Sequence, residues 1–189
     1  RVLYGTRISL SAAVIIILIA GIIGASIGAA CGYFEGVLDN VIMRITDMIL
    51  AFPTMILAMV LAATLGSSLI NAMLAIAIVK IPVYVRLARG EALLIKNNLY
   101  VKAAKIFGLN DIYIIFRHVI PNIITSVIIQ VTLDLGDTIL LVATLGFLGL
   151  GAKPPTPEWG TMISTGFKYM LSQWWYPCLL YTSDAADEL

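Results

Sequence analysis

Residues Ile8–Phe34 read ISLSAAVIIILIAGIIGASIGAACGYF, 27 consecutive positions without a charged side chain. A helix needs roughly 20 predominantly apolar residues to cross the hydrocarbon of a bilayer, so this stretch is long enough for one span. A soluble helix of that length would keep a polar face toward water. Val14–Ile23 has no such face, and the solvent for this segment is therefore lipid or other apolar helices.

The same reading extends outward. No charge interrupts Met48–Val79. That run exceeds one span, and Gly66-Ser67-Ser68 divides it into two antiparallel helices, about 48–65 and 69–85. A further apolar region, Pro121–Gly151, contains Asp134 and Asp137 and predicts a span over 121–145. Of the 189 residues 60% are hydrophobic and 12% charged, with a mean hydropathy of +0.99, whereas soluble domains carry about 25% charge. The predicted fold is all-α, a polytopic transmembrane bundle with spans at about 8–34, 48–65, 69–85 and 121–145.

Charge placement orients the spans. Seven of the twelve Lys and Arg residues lie between Lys80 and Arg117, and short loops rich in Lys and Arg stay on the cytoplasmic side. Residues 86–120 and the 35–47 connection with Arg44 are therefore placed inside, and the 66–68 turn, residues 1–7 and the segment after Gly151 outside. Three prolines in Lys153-Pro154-Pro155-Thr156-Pro157-Glu158-Trp159-Gly160 prevent that segment from continuing a helix. Trp159, Trp174, Trp175 and Tyr176 suit the outer interface; a loop packed by its own aromatics gives the same pattern. Cys31 and Cys178 have neither CxxC nor metal-ligand spacing and read as structural or incidental.

Within the cytoplasmic segment, Ile95, Leu99, Ala103 and Ile106 recur at helical spacing, with Lys96, Lys102 and Lys105 largely off that stripe. Gly108 suits a left-handed C-terminal turn, Asn110 or Asp111 can cap the next helix, and Pro121 suits the first turn of the following span. The pattern predicts helix, turn, helix, longer than a simple connection between adjacent spans needs. A purely structural loop shows the same periodicity.

These residues resemble the membrane subunits of bacterial ATP-binding-cassette importers, in the branch serving dipeptides, oligopeptides and nickel, and within it the C-type permease subunit. The blocks are Lys102-Ala103-Ala104-Lys105-Ile106-Phe107-Gly108 with Val119-Ile120-Pro121-Asn122; Tyr4-Gly5-Thr6-Arg7-Ile8-Ser9-Leu10; and Gly146-Phe147-Leu148-Gly149-Leu150-Gly151 followed by Pro154–Gly160. The likeness extends from Arg1 to about Pro177. It implies a bacterial inner-membrane, multi-pass permease subunit. Lys102, Ala103, Ala104, Gly108 and Pro121 would couple it to a cytoplasmic ATP-binding subunit. Further implied partners are a second permease subunit, an extracytoplasmic solute-binding protein and the lipid bilayer; no nucleic-acid partner is expected. Lys102 stands where the family signature has an acid, a charge reversal at a rim position that tunes partner choice.

No GxxxxGK phosphate loop, His cluster or metal-binding repeat is present. Catalysis is not expected of this chain, which needs no cofactor of its own; ATP and magnesium would belong to the partner subunit. His118, beside Arg117 and Pro121, reads as an interfacial structural residue. Asp134 and Asp137 share a helix face at i, i+3, and an acid inside a membrane segment is a functional hypothesis by default. They suit lining of the solute path, or solvation around a helix break at Gly136.

The resemblance implies six spans, of which four fall within this stretch, with an external loop over 150–176. Residues 178–189 are too short and acidic for another crossing and read as a foreign or disordered tail. The competing functional class is a non-transporting membrane scaffold, or a degenerate permease fragment, whose short cytoplasmic helices merely bind a partner. For the orientation, an impermeant thiol reagent on intact cells is expected to modify a cysteine at position 158 and to spare one at 96. The reverse pattern would overturn the assignment.

Overall fold

The computed structural model describes residues 2–153 and 156–167, and every regular element among them is helical. In chain order these are α1 (Val2–Phe34), α2 (Val37–Leu50), α3 (Thr54–Leu65), α4 (Leu69–Lys96), α5 (Leu99–Ile106), α6 (Asp111–Ile114), a π turn (Ile115–Val119), α7 (Ile120–Phe147) and α8 (Trp159–Phe167). α1, α4 and the run Asp111–Phe147 are each long and apolar enough to cross a membrane, and α2 with α3 makes a fourth candidate as one broken span.

Several boundaries differ from the sequence expectation, each for a local reason. The helix expected over 48–65 is interrupted at Ala51-Phe52-Pro53 and its first part begins at Val37. Pro53 has no N–H for the ladder and biases the residue before it away from helix. The helix expected over 69–85 runs on to Lys96, carrying Pro82 inside it, so Arg86–Lys96 belongs to the same helix. α7 passes through Gly136 unbroken. α8 occupies part of the expected external loop, while Trp174, Trp175, Tyr176 and the 178–189 tail lie outside the described residues.

The chain divides into two compact units. The first comprises Arg1–Ile17, Thr54–Ala77 and Leu133–Leu189. Here Glu158, fully buried, caps α8: its carboxylate accepts from Gly160 N–H at 2.8 Å, Thr161 N–H at 3.0 Å and Thr161 Oγ1 at 2.6 Å. Trp159 is 9% exposed, packed on Gly5 of α1, with Nε1 donating to Val2 O at 3.4 Å. It is therefore a packing residue and not an interfacial anchor. α7 ends with Gly149 N–H on Gly146 O at 3.0 Å and Leu150 N–H on Leu145 O at 2.9 Å. Because Glu158 is buried, exposed Lys153 is the better external labelling position.

The second unit comprises Leu18–Pro53 and Ile78–Thr132. Its organising contact is α1 on α4. A Cβ at Gly24 would lie 2.5 Å from Tyr84 Cβ, one at Gly28 2.8 Å from Ala88 Cβ, and one at Gly32 2.7 Å from Ala92 Cβ. The spacing of four puts all three on one face of α1, where the absence of side chains lets the two backbones meet. Tyr84, Ala88 and Ala92 are correspondingly 0% exposed.

Gly28→Val is expected to cost about 1–3 kcal/mol through overpacking of this seam. Gly90, on α4 with open space around it, gives the control: Gly90→Ala should gain roughly 0.5–1 kcal/mol from helix propensity. Thermal midpoints of the detergent-solubilised variants check both, and equal midpoints would remove the seam as the limiting contact.

Candidate functional site

The coupling candidates cluster on α5 and the turn after it. Asn98, in extended conformation, starts the helix. At the other end Gly108 N–H donates to Lys105 O at 3.0 Å and Leu109 N–H to Ala104 O at 3.3 Å. Those two bonds form a Schellman motif, whose reversal needs a left-handed residue. Gly108 supplies it with φ +78°. A Cβ there would meet nothing within 4 Å, so the demand is on backbone conformation and not on space.

α5 has a seated face and a free one. Val101 and Ala104 are buried in a cluster with Tyr33 and Ala29 of α1, Ala92 and Ile95 of α4, and Ile114. Lys102 and Ala103 are exposed, as are Leu99, Ile106 and Phe107, the last two at 85% each. Of the stripe Ile95, Leu99, Ala103 and Ile106, only Ile95 is buried. The chain bends at Asn97-Asn98 between α4 and α5, so the stripe does not continue in phase, and Leu99, Ala103 and Ile106 turn outward.

A polar network fixes α5 and α6 to the end of α1. Tyr33 Oη donates to Asp111 Oδ1 at 2.5 Å, and Lys105 Nζ lies 3.7 Å from the same oxygen. The ammonium groups of Lys96 and Lys105 each stand 5.8 Å from the Tyr33 ring centroid, within cation–π range. Lys96 also pairs with Glu35 at 3.2 Å. Asn110 caps α6, its side chain accepting from Ile112 N–H at 3.2 Å, one of the two caps expected.

Pro121 is the second residue of α7, but the helix before it does not stop. Asp111–Phe147 is continuous, and the π turn Ile115–Val119 immediately precedes the proline. The wider turn accommodates a residue that cannot donate to the ladder. Asn122 Nδ2 donates to His118 O at 2.6 Å, covering a backbone acceptor at this irregularity. His118 packs near the rings of Tyr100 and Tyr113, in keeping with a structural role.

Asp134 and Asp137 belong to the first unit and the residues on α5 to the second. Asp134 is half-buried and Asp137 exposed. Among the described residues, no group of three or more His, Cys, Asp or Glu could hold a metal ion.

Sequence reasoning missed the pairing of α2 with α4. Arg89 donates from Nε at 2.6 Å and Nη2 at 2.7 Å to the two oxygens of Asp39, a bidentate pair with Asp39 only 4% exposed. Arg86 Nη2 lies 2.5 Å from Asp47 Oδ1. The available signal was two acids in one connection and two arginines in the other, opposite in sign within otherwise apolar flanks.

Comparison with known proteins agrees with this geometry. The family model for the binding-protein-dependent transport system inner membrane component matches residues 21–182. An Escherichia coli protein named "Probable D,D-dipeptide transport system permease protein" is 51% identical over 176 residues, covering 93% of this chain and 59% of that protein. The dipeptide transport system permease protein of Haemophilus influenzae is 46% identical, with 93% and 59% covered. The glutathione transport system permease protein of Pectobacterium atrosepticum is 43% identical, with 87% and 54% covered. The chain thus spans a little over half the length of these relatives. It is a multi-pass inner-membrane protein, and it belongs to the family of binding-protein-dependent transport system inner membrane components.

Proposed function

We propose that this chain is part of a permease subunit of an ATP-binding-cassette importer, contributing to the transmembrane path for peptides or related small solutes such as nickel complexes. The three relatives are named for transport of D,D-dipeptides, dipeptides and glutathione, all small peptides. ATP and magnesium are bound by a separate cytoplasmic subunit, and a second permease subunit and an extracytoplasmic solute-binding protein complete the assembly.

The observation that carries this reading is the division of α5 into a seated face and a free one. Val101 and Ala104 hold it to the second unit, while Ala103, Ile106 and Phe107 stand exposed beside Lys102. A short helix with its apolar side outward fits helix-in-groove recognition. Ala103 lets a partner approach closely, Lys102 adds a rim charge, Ala104 seats the helix, and Gly108 sets the turn. Pro121, after the π turn, supports the helix against which α5 packs, and Asp134 and Asp137 line the solute path.

Gly108→Val is expected to weaken association with the ATPase subunit and solute-stimulated ATP turnover while leaving membrane insertion intact. The backbone cost of a branched residue in the left-handed region is about 1–2 kcal/mol. Co-purification and turnover with the cognate ATPase check this, and normal values for both would defeat the docking assignment. Lys102→Glu should be tolerated by a generic ATPase subunit, whereas a strong loss would point to a cleft adapted to the lysine.

A further inference from the structure

The charges of α4 show where the membrane boundary falls. Leu69–Val85, about 26 Å of helix, has buried Lys80 as its only charge, and Arg86, Arg89, Glu91 and Lys96 crowd the remainder. The hydrocarbon is about 30 Å thick, so Arg86 and Arg89 stand at its edge, on the side that the positive-inside pattern makes cytoplasmic. α2 is fastened at that level: Arg89 holds Asp39 in two-point contact and Arg86 holds Asp47. The two acids are about 12 Å apart along α2, the two arginines only about 4.5 Å apart along α4. A contact that is long on one helix and short on the other belongs to helices that cross steeply. α4 is long and apolar enough to span the bilayer, and α2 therefore runs closer to the plane of the boundary than to its normal. By length and composition α2 with α3 could form one broken span; the crossing contact assigns α2 to the boundary instead.

At about 100° per residue the side chains of α2 fall on three faces. Asp39 and Thr46 are buried. Val37, Met48, Val41, Ile45 and Leu38 follow one another around an exposed apolar arc of roughly 100°. Asn40, Arg44 and Asp47 make the polar face, and Arg44 stands at the edge of the arc, three residues after Val41 and four before Met48. Asp47 is engaged by Arg86, whereas Arg44 is exposed and makes no ion pair among the described residues. The free charge beside the arc is thus positive, complementary to anionic headgroups at the cytoplasmic surface. A helix lying in the interface buries an apolar face at the headgroup–acyl boundary and keeps its cations at headgroup level. We propose that α2 is an interfacial helix, with Val37, Leu38, Val41, Ile45 and Met48 among the acyl chains and the Arg44 guanidinium holding the phosphate of an anionic phospholipid. The planar guanidinium presents paired donors that match phosphate in two-point geometry. The buried Asp39–Arg89 pair then ties α2 to α4 on one side while lipid receives it on another. This goes beyond the permease reading, since it concerns how the chain meets its membrane and not what passes through it.

The test uses the full-length subunit, purified with the subunits that accompany it and placed in vesicles. Native cysteines are replaced by serine, and one bimane fluorophore is attached at Val37→Cys, Asn40→Cys, Val41→Cys or Met48→Cys. Quenchers are brominated phosphatidylcholine, brominated phosphatidylglycerol and aqueous iodide on both sides of the membrane. The Val41→Cys probe should be quenched by brominated lipid and little by iodide, and the Asn40→Cys probe more by iodide. Probes at Val37→Cys and Met48→Cys should respond alike to lipids brominated near the headgroup and near the chain end. The ratio of phosphatidylglycerol to phosphatidylcholine quenching at Val41→Cys should fall about fivefold on Arg44→Gln, the enrichment that one basic residue gives at an anionic surface. Arg44→Lys should retain part of it. Quenching by brominated phosphatidylcholine should be unchanged in Arg44→Gln, which separates loss of the headgroup contact from displacement of the helix. Quenching of Val41→Cys by iodide and not by lipid would set α2 off the membrane, and protection from all three quenchers would put another protein surface on the arc; either defeats the interfacial helix. Opposite depth preferences at Val37→Cys and Met48→Cys would make α2 part of a crossing span and defeat it equally. A ratio unchanged by Arg44→Gln would overturn the phosphate site.

Discussion

The second unit depends on the approach of α1 to α4 through Gly24, Gly28 and Gly32. In a bilayer two apolar helices gain little from leaving lipid tails for each other, so association rests on the closeness of packing. Three glycines on one face of α1, set against Ala88 and Ala92, provide that closeness. The contact carries the end of α1 to the end of α4. Tyr33 and Glu35 there meet Lys96, and through Asp111 and Lys105 they reach α6 and α5. The helix proposed to receive the motor is thus anchored to a seam built from backbone contact.

The ion pairs around this seam differ in what they contribute. Asp39 is almost fully buried and Arg89 28% exposed, so losing one partner would strand a charge in a poor solvent, at about 3–5 kcal/mol. Arg86 and Asp47, both more than half exposed, stabilise by about 0–1 kcal/mol at most. The buried pair holds α2 on α4. The exposed one is screened by water and adds little to that hold.

Membrane character, helical class and the glycine turn at 108 were legible because each follows from local properties: uncharged run length, and the position of one residue without a side chain. Element ends were less legible. Arg86, Arg89 and Lys96 look like loop residues when charge alone is read, yet they stay on α4 because acids from α2 and Glu35 satisfy them. That pairing joins residues up to 61 positions apart, and no periodic pattern contains it. The stripe Ile95, Leu99, Ala103 and Ile106 is divided between α4 and α5 for a related reason. A stripe counted through Asn97-Asn98 assumes one continuous helix, and the bend there resets the phase. Asn110 was readable as a cap because its action is confined to the next two residues.

The π turn at Ile115–Val119 sets the rotational register of the helix that follows. Its wide turn takes up one residue more than an α-helical turn of similar rise, and a π bulge relaxes to regular α-helix when a single residue is removed. A one-residue deletion there would therefore give regular α-helix and leave everything beyond it facing nearly the same way, whereas the same deletion in a regular α-helical turn would rotate the remainder by roughly 100° about the axis. Ile123, now 2% exposed in the core, would stay inside in the first case and rotate out in the second. The stretch Ile115–Val119 thus acts as a slack element. It takes up one residue of chain length without changing which face of α7 is buried.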